Sequence, residues 1–232
     1  MLKAYWLAVH LLPALSASSP SGPPAQPLEV HRLAGPYPSL PAVARRAKRD
    51  WDASRCRAGP VAARQAATGA IEAAWLRCEV SVAGARGAEC ALAVRSAKGW
   101  YIDGEHRLRC GGRLGALSSV QARFDEPTWK DGLLWATFDV ETMEGEWSER
   151  IEGGKTAVYP RPDKNRWLVL CSAGPSGVPS CSEALVLGCS SGDRSATVSA
   201  RLRRRRLVLA GKDEGACDRG NILLGTFRLD FR

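Results

Sequence analysis

From about residue 71 apolar and polar positions alternate with a period of two, and turn residues recur about every 8 to 12 positions. Leu76, Cys78, Val80 and Val82 alternate with Arg77, Glu79 and Ser81, residues 84–87 turn the chain, and Cys90, Leu92 and Val94 alternate back. Those two runs predict a hairpin. The same signal predicts strands over 100–102, 119–124, 133–140, 144–151, 167–171, 184–189, 196–202, 207–210 and 222–231. Their number and spacing predict a mainly β fold, an antiparallel β-sandwich or barrel-like domain.

Upstream the period changes. Ser39 is a candidate N-cap, Pro41 suits a first turn, and Leu40, Val43, Ala44, Ala47 and Trp51 recur at helical spacing, which predicts one N-terminal helix to about residue 54. Residues 18–38 hold Pro20, Pro23, Pro24, Pro27, Pro36 and Pro38 among Ser, Gly and Ala, the composition of a disordered tether. Before them, Met1-Leu2-Lys3, an apolar run to Leu15 and small residues from Ser16 to Ser19 have the order of a signal peptide, 1–17. A single domain is then expected over 39–232.

Eight cysteines lie at Cys56, Cys78, Cys90, Cys110, Cys171, Cys181, Cys189 and Cys217, and no two form a C-x-x-C pair. Structural zinc is disfavoured by that spacing. An even, widely spaced set behind a signal peptide predicts a disulfide-stapled protein in an oxidising, extracytoplasmic compartment, the periplasm or the exterior. Trp75-Leu76-Arg77-Cys78 followed by Cys90 is echoed by Trp167 to Cys171 followed by Cys181. Hairpin registers centred near Gly84 and Ser176 would set Cys78 against Cys90 and Cys171 against Cys181. The echo also admits two small β subdomains, about 56–125 and 126–232.

Charge sharpens this picture. The net +9 is carried by Arg45, Arg46, Lys48 and Arg49 together with Arg201, Arg203, Arg204, Arg205 and Arg206, which leaves 24 basic against 24 acidic residues elsewhere. Such local patches are not a nucleic-acid-binding coat, and no nucleic-acid partner is expected. No apolar run reaches the ~18 residues of a membrane helix, so no transmembrane segment is expected after signal cleavage. Arg outnumbering Lys, with abundant Ala and Gly, fits GC-rich coding and a bacterial source.

Candidate chemistry is sparse. Of the three histidines, His10 falls in the signal and His31 in the tether, which leaves His106, in Asp103-Gly104-Glu105-His106, as the general base of an alternative secreted hydrolase. No serine sits in a G-x-S-x-G elbow. Ser96 and Lys98 could form a dyad; Asp139, Glu141, Glu144, Glu146, Glu149 and Glu152 could bind calcium but match no EF-hand spacing; Trp129, Trp135 and Trp147 could stack on sugars. For each of these the plainer reading is preferred: no dyad at Ser96 and Lys98, a polar sheet face for the acids and core placement for the tryptophans. Arg46-Ala47-Lys48-Arg49 resembles the R-x-K-R site of furin-type proprotein convertases, which would make the chain a proprotein cleaved after Arg49 to release an extracellular ligand.

The arginine run is the strongest local field. Five arginines within residues 201–206 exclude a strand buried on both faces and leave an edge strand or a turn, where they either block strand pairing or bind an anion. The expectation is an exported, non-catalytic binding or structural protein without cofactor or metal. Its partner would be an anionic envelope polymer or an acidic protein, held through Arg201, Arg203, Arg204, Arg205 and Arg206.

Overall fold

The computed structural model of the protein describes residues 25–47, 53–66, 69–82, 85–103, 108–113, 119–150, 156–173, 177–191, 194–203, 206–212 and 223–231. Three short strands come first: β1 (Gln26–Pro27), β2 (Val30–Arg32) and β3 (Ala34–Tyr37). Helix α1 (Leu40–Ala47) and a 3-10 turn (Ala53–Arg55) follow. Then come β4 (Cys56–Ala66), β5 (Gly69–Val82), β6 (Ala85–Ser96), β7 (Gly99–Ile102), β8 (Leu108–Arg113), β9 (Ser119–Phe124) and β10 (Thr128–Lys130). The last seven are β11 (Leu133–Arg150), β12 (Thr156–Ala173), β13 (Pro179–Ser182), β14 (Leu185–Ser191), β15 (Arg194–Arg203), β16 (Arg206–Lys212) and β17 (Gly225–Arg228).

The fold is mainly β with one short helix. Hydrogen bonding runs continuously through β4, β5, β6, β8, β9, β11, β12, β14, β15, β16, β17 and β1. Every step is antiparallel except β17 to β1, which is parallel. Short branches leave this path where β7 and β3 extend one end of β6, and where β13 and β2 extend one end of β12. β10 covers the start of β11.

Strand alternation folds this ribbon into layers. Even-numbered β5 residues Leu76, Cys78 and Val80 pack with Val43 and Ala44 of α1, whereas odd-numbered Ala73 and Trp75 face a second core. That core is completed by Leu134, Ala136, Phe138, Val169 and Cys171 from β11 and β12. The opposite face of β11 and β12, with Leu133, Leu168 and Leu170, packs on Val198, Leu207, Leu209 and Phe227. Helix, sheet, sheet and sheet are therefore stacked with three apolar seams between them. Phe138 is fully buried in the central seam, with ring centroids 5.2 Å from Trp75 and 5.9 Å from Phe124. Phe138→Ala should lower unfolding free energy by about 3–5 kcal/mol in a urea titration, as aromatic core truncations do.

Several expectations are corrected. Residues 26–37 are strand, not tether: proline tolerates positions that need no donor, and Leu28 and Leu33 are 5% and 4% exposed. α1 is capped as expected, with Ala42 N donating to Ser39 Oγ at 3.3 Å, but residues 53–55 form a 3-10 turn and not a continuation of the helix. The expected strands 133–140 and 144–151 are one strand, which a register shift between Met143 and Glu146 carries through without a break. The central seam draws on both halves of the chain, with Ala73, Trp75 and Leu92 from one and Leu134, Phe138 and Val169 from the other.

The hairpin of β5 and β6 is offset by one residue from the expected register: Cys78 lies opposite Glu89, and Cys90 opposite Arg77. A one-residue offset sends Cys78 and Cys90 to opposite faces, so they do not meet. Cys78 bonds Cys56, Cys90 bonds Cys110, and Cys171 bonds Cys181 directly across its strand pair. Cys189 is disulfide-bonded too, and Cys217 lies outside the described residues.

Candidate anion-binding surface

The arginine run lies on β15 and β16; β16 is paired on both sides there, by β15 and β17, whereas β14 pairs β15 only over 194–197, so among the described residues Arg201 and Arg203 lie on a stretch of β15 paired by β16 alone. The position of Arg201 and Arg203 therefore suits edge protection as well as anion binding. β15 and β16 are consecutive antiparallel strands, and the run straddles the connection between them. Leu202 and Leu207 form one register pair and turn inward, Leu207 being fully buried. Their neighbours Arg203 and Arg206 form the next pair and must turn outward, as two-residue periodicity requires. Arg228 of β17 lies opposite Arg206, so three arginines stand side by side across three strands. Arg201 is on the same face one pleat away, and Arg204 and Arg205 lie outside the described residues.

Directly opposed like charges destabilise a sheet, because facing side chains are only about 5 Å apart at Cβ. One carboxylate relieves this ladder: Asp230 Oδ2 accepts from Arg228 Nε at 2.8 Å. Among the described residues no carboxylate pairs with Arg201, Arg203 or Arg206. All four arginines are solvent-exposed, and the charge of Arg201, Arg203 and Arg206 is available to an outside partner. Arg228, some twenty residues beyond the run, was not legible as part of it; only the β16–β17 register brings it in.

A contrasting surface lies on β9, β11, β12, β14 and β15, an open trough of about 430 Å³. There the charges alternate: Arg123 lies opposite Asp139, and Asp139 opposite Arg166. Arg166 donates to Asp125 Oδ2 at 2.6 Å and to both Asp139 oxygens at 3.0 Å, and Lys164 reaches Glu141 at 3.7 Å. Asp125 also accepts from Thr137 Oγ1 at 2.6 Å. Asp139 and Glu141 are thereby engaged across the strands; the side chains of Glu144, Glu146, Glu149 and Glu152 lie outside the described residues. Opposite charges already satisfied by one another leave little net field to draw a charged ligand.

The other candidates are dispersed. Ser96 is nearly buried, and its Oγ accepts from Lys98 N at 3.2 Å, closing the turn from β6 to β7. Trp129 packs against the central seam, and Trp135 packs against the outer one with Lys130 Nζ 5.4 Å from its ring. His106 lies outside the described residues, as do Lys48, Arg49 and the Trp147 side chain. His31, assigned by composition to a tether, instead sits on β2 with Nε2 3.1 Å from the buried Asp103 Oδ1. That contact fastens β2 to the residue that follows β7.

No family model matches the chain, and neither a curated protein nor a solved structure matches it. The disulfides point to an oxidising compartment. Among the described residues no helix is long and apolar enough to cross a membrane.

Proposed function

We propose that this is an exported, disulfide-stabilised binding protein, periplasmic or secreted, that holds an anionic envelope polymer or an acidic protein surface along the arginine ladder. The observation that carries the reading is the row Arg203, Arg206 and Arg228, flanked by Arg201, in which Asp230 pairs with Arg228 alone, on a sheet whose other face is core. Guanidinium forks suit phosphate and carboxylate oxygens by paired hydrogen bonds, and a row of them suits a repeating anion better than a single one. The work assigned to these residues is adhesion without bond cleavage.

The test is retention of the oxidised protein on phosphorylated lipopolysaccharide or on polyglutamate, measured across a salt series. Binding should fall steeply toward physiological ionic strength, where the Debye length is ~8 Å. Arg201, Arg203 and Arg206 changed together to Ser should abolish it with the melting temperature retained. Binding indifferent to salt, or none at low salt, would overturn the proposal.

A further inference from the structure

We infer that β5, β6 and β8 carry a second, independent anion site, suited to a compact oxyanion of the phosphate or sulfate type. It is an open trough of about 650 Å³ at the far end of the β5–β6 hairpin, lined by Arg55, Arg77, Arg86 and Ser81. Its carboxylate, Glu79, is engaged by Arg55 at 3.6 Å. Arg57 stands directly opposite Arg77 in the β4–β5 register, a like-charge pair that costs stability unless an anion comes between them. Among the described residues no carboxylate pairs with Arg57, Arg77 or Arg86.

The floor is built for the Arg77 fork. A Cβ on Gly111 would lie 2.8 Å from Arg77 Nη2 and 3.5 Å from its Cζ, so the guanidinium rests on a strip of backbone that only glycine leaves bare. Gly112, at φ +111°, lets β8 close against Gly87, where a Cβ would stand 2.6 Å from the Gly87 Cα. Two disulfides brace the walls. Cys56–Cys78 ties Arg55 and Arg57 to Arg77 and Glu79, their chain neighbours, and Cys90–Cys110 locks β6 to β8 beside Gly111. The parallel N–H groups of a guanidinium fork match two oxygens of a tetrahedral anion. Unlike the ladder on β15–β17, this is a compact cluster and not a row, so it suits a small group: the free anion or one phosphoryl or sulfuryl group on a larger molecule.

The experiment is calorimetric titration of the oxidised full chain with inorganic phosphate, inorganic sulfate and a simple phosphate monoester, at ionic strength held constant with chloride. Saturable binding to one site is expected for phosphate or sulfate and not for acetate; equal binding of the monoester identifies a carried group as an acceptable source. Arg77→Gln and Gly111→Ala should each weaken binding about tenfold or more, the loss expected for one charge-assisted paired contact. Gly111→Ala does so without changing any charge. Replacing Arg201, Arg203 and Arg206 should leave phosphate binding intact, which separates this site from the ladder. If Gly111→Ala does not fold, Arg77→Lys decides, since it keeps the charge and removes the fork. Phosphate binding no tighter than acetate, or unchanged in Arg77→Gln or Arg77→Lys, overturns the inference.

Discussion

A chain that begins at Ser39 is expected to lose roughly 3–6 kcal/mol of stability, because Leu28 and Leu33 leave the core and each buried leucine contributes about 1.5–3 kcal/mol. The segment does more than fill space. β1 pairs with β17, β2 with β13 and β3 with β7, so one stretch of a dozen residues is stitched to three separate parts of the sheet. Backbone contacts outside those strands add to it, with Leu28 N donating to Arg228 O at 3.1 Å and Leu33 N to Pro179 O at 3.0 Å. Urea denaturation of the two chains, both oxidised, checks this. Equal midpoints would mean that residues 26–37 are the loose leader their proline content suggests.

Full reduction is expected to have a larger effect still. Cys56–Cys78, Cys90–Cys110 and Cys171–Cys181 close loops of 22, 20 and 10 residues. At about 2–4 kcal/mol for each bridge, their loss removes roughly 6–12 kcal/mol, which is comparable with the whole stability of an ordinary domain, about 5–15 kcal/mol. Reduced protein should therefore lose its near-ultraviolet circular dichroism at 37 °C. Cys90→Ala with Cys110→Ala alone should lower the melting temperature by about 6–12 °C, taking roughly 3 kcal/mol at 2–4 °C each. A reduced chain that melts cooperatively within a degree or two of the oxidised one would show that the three seams suffice without bridges.

Much of the sheet was legible because alternation is a local signal. β9 falls on the expected 119–124, and β7, β14, β15 and β16 each contain or closely match their expected runs. β4 was not legible: Cys56–Ala66 is mostly Ala and Arg with a Gly-Pro step, and the bridge at Cys56 and its pairing with β5 hold it as a strand. Longer-range facts fail for a different reason. Whether Cys78 meets Cys90 turns on a single residue of register, and composition around Gly84 does not set it. His31 was lost with the tether, since a histidine in a proline-rich stretch carries no sign of the buried Asp103 waiting for it. Of the ladder, the run at 201–206 was plain and Arg228 was not; of the second site, neither Arg77 nor the bare backbone at Gly111 had any distinguishing neighbour in the chain.

The parallel pairing of β1 with β17 places Gln26 beside Phe227, near the two ends of the described chain. Loop-closure entropy makes such a contact among the last to form, since almost every residue must already be placed before it costs little. During synthesis the first strand must then wait, unpaired, until the final one emerges, and in that interval Leu28 remains uncovered. Escort by a holding chaperone over that interval would follow directly from the wiring of the sheet, as would tolerance of a circularly permuted chain in which a short linker joins those neighbouring ends and new termini open in a surface turn.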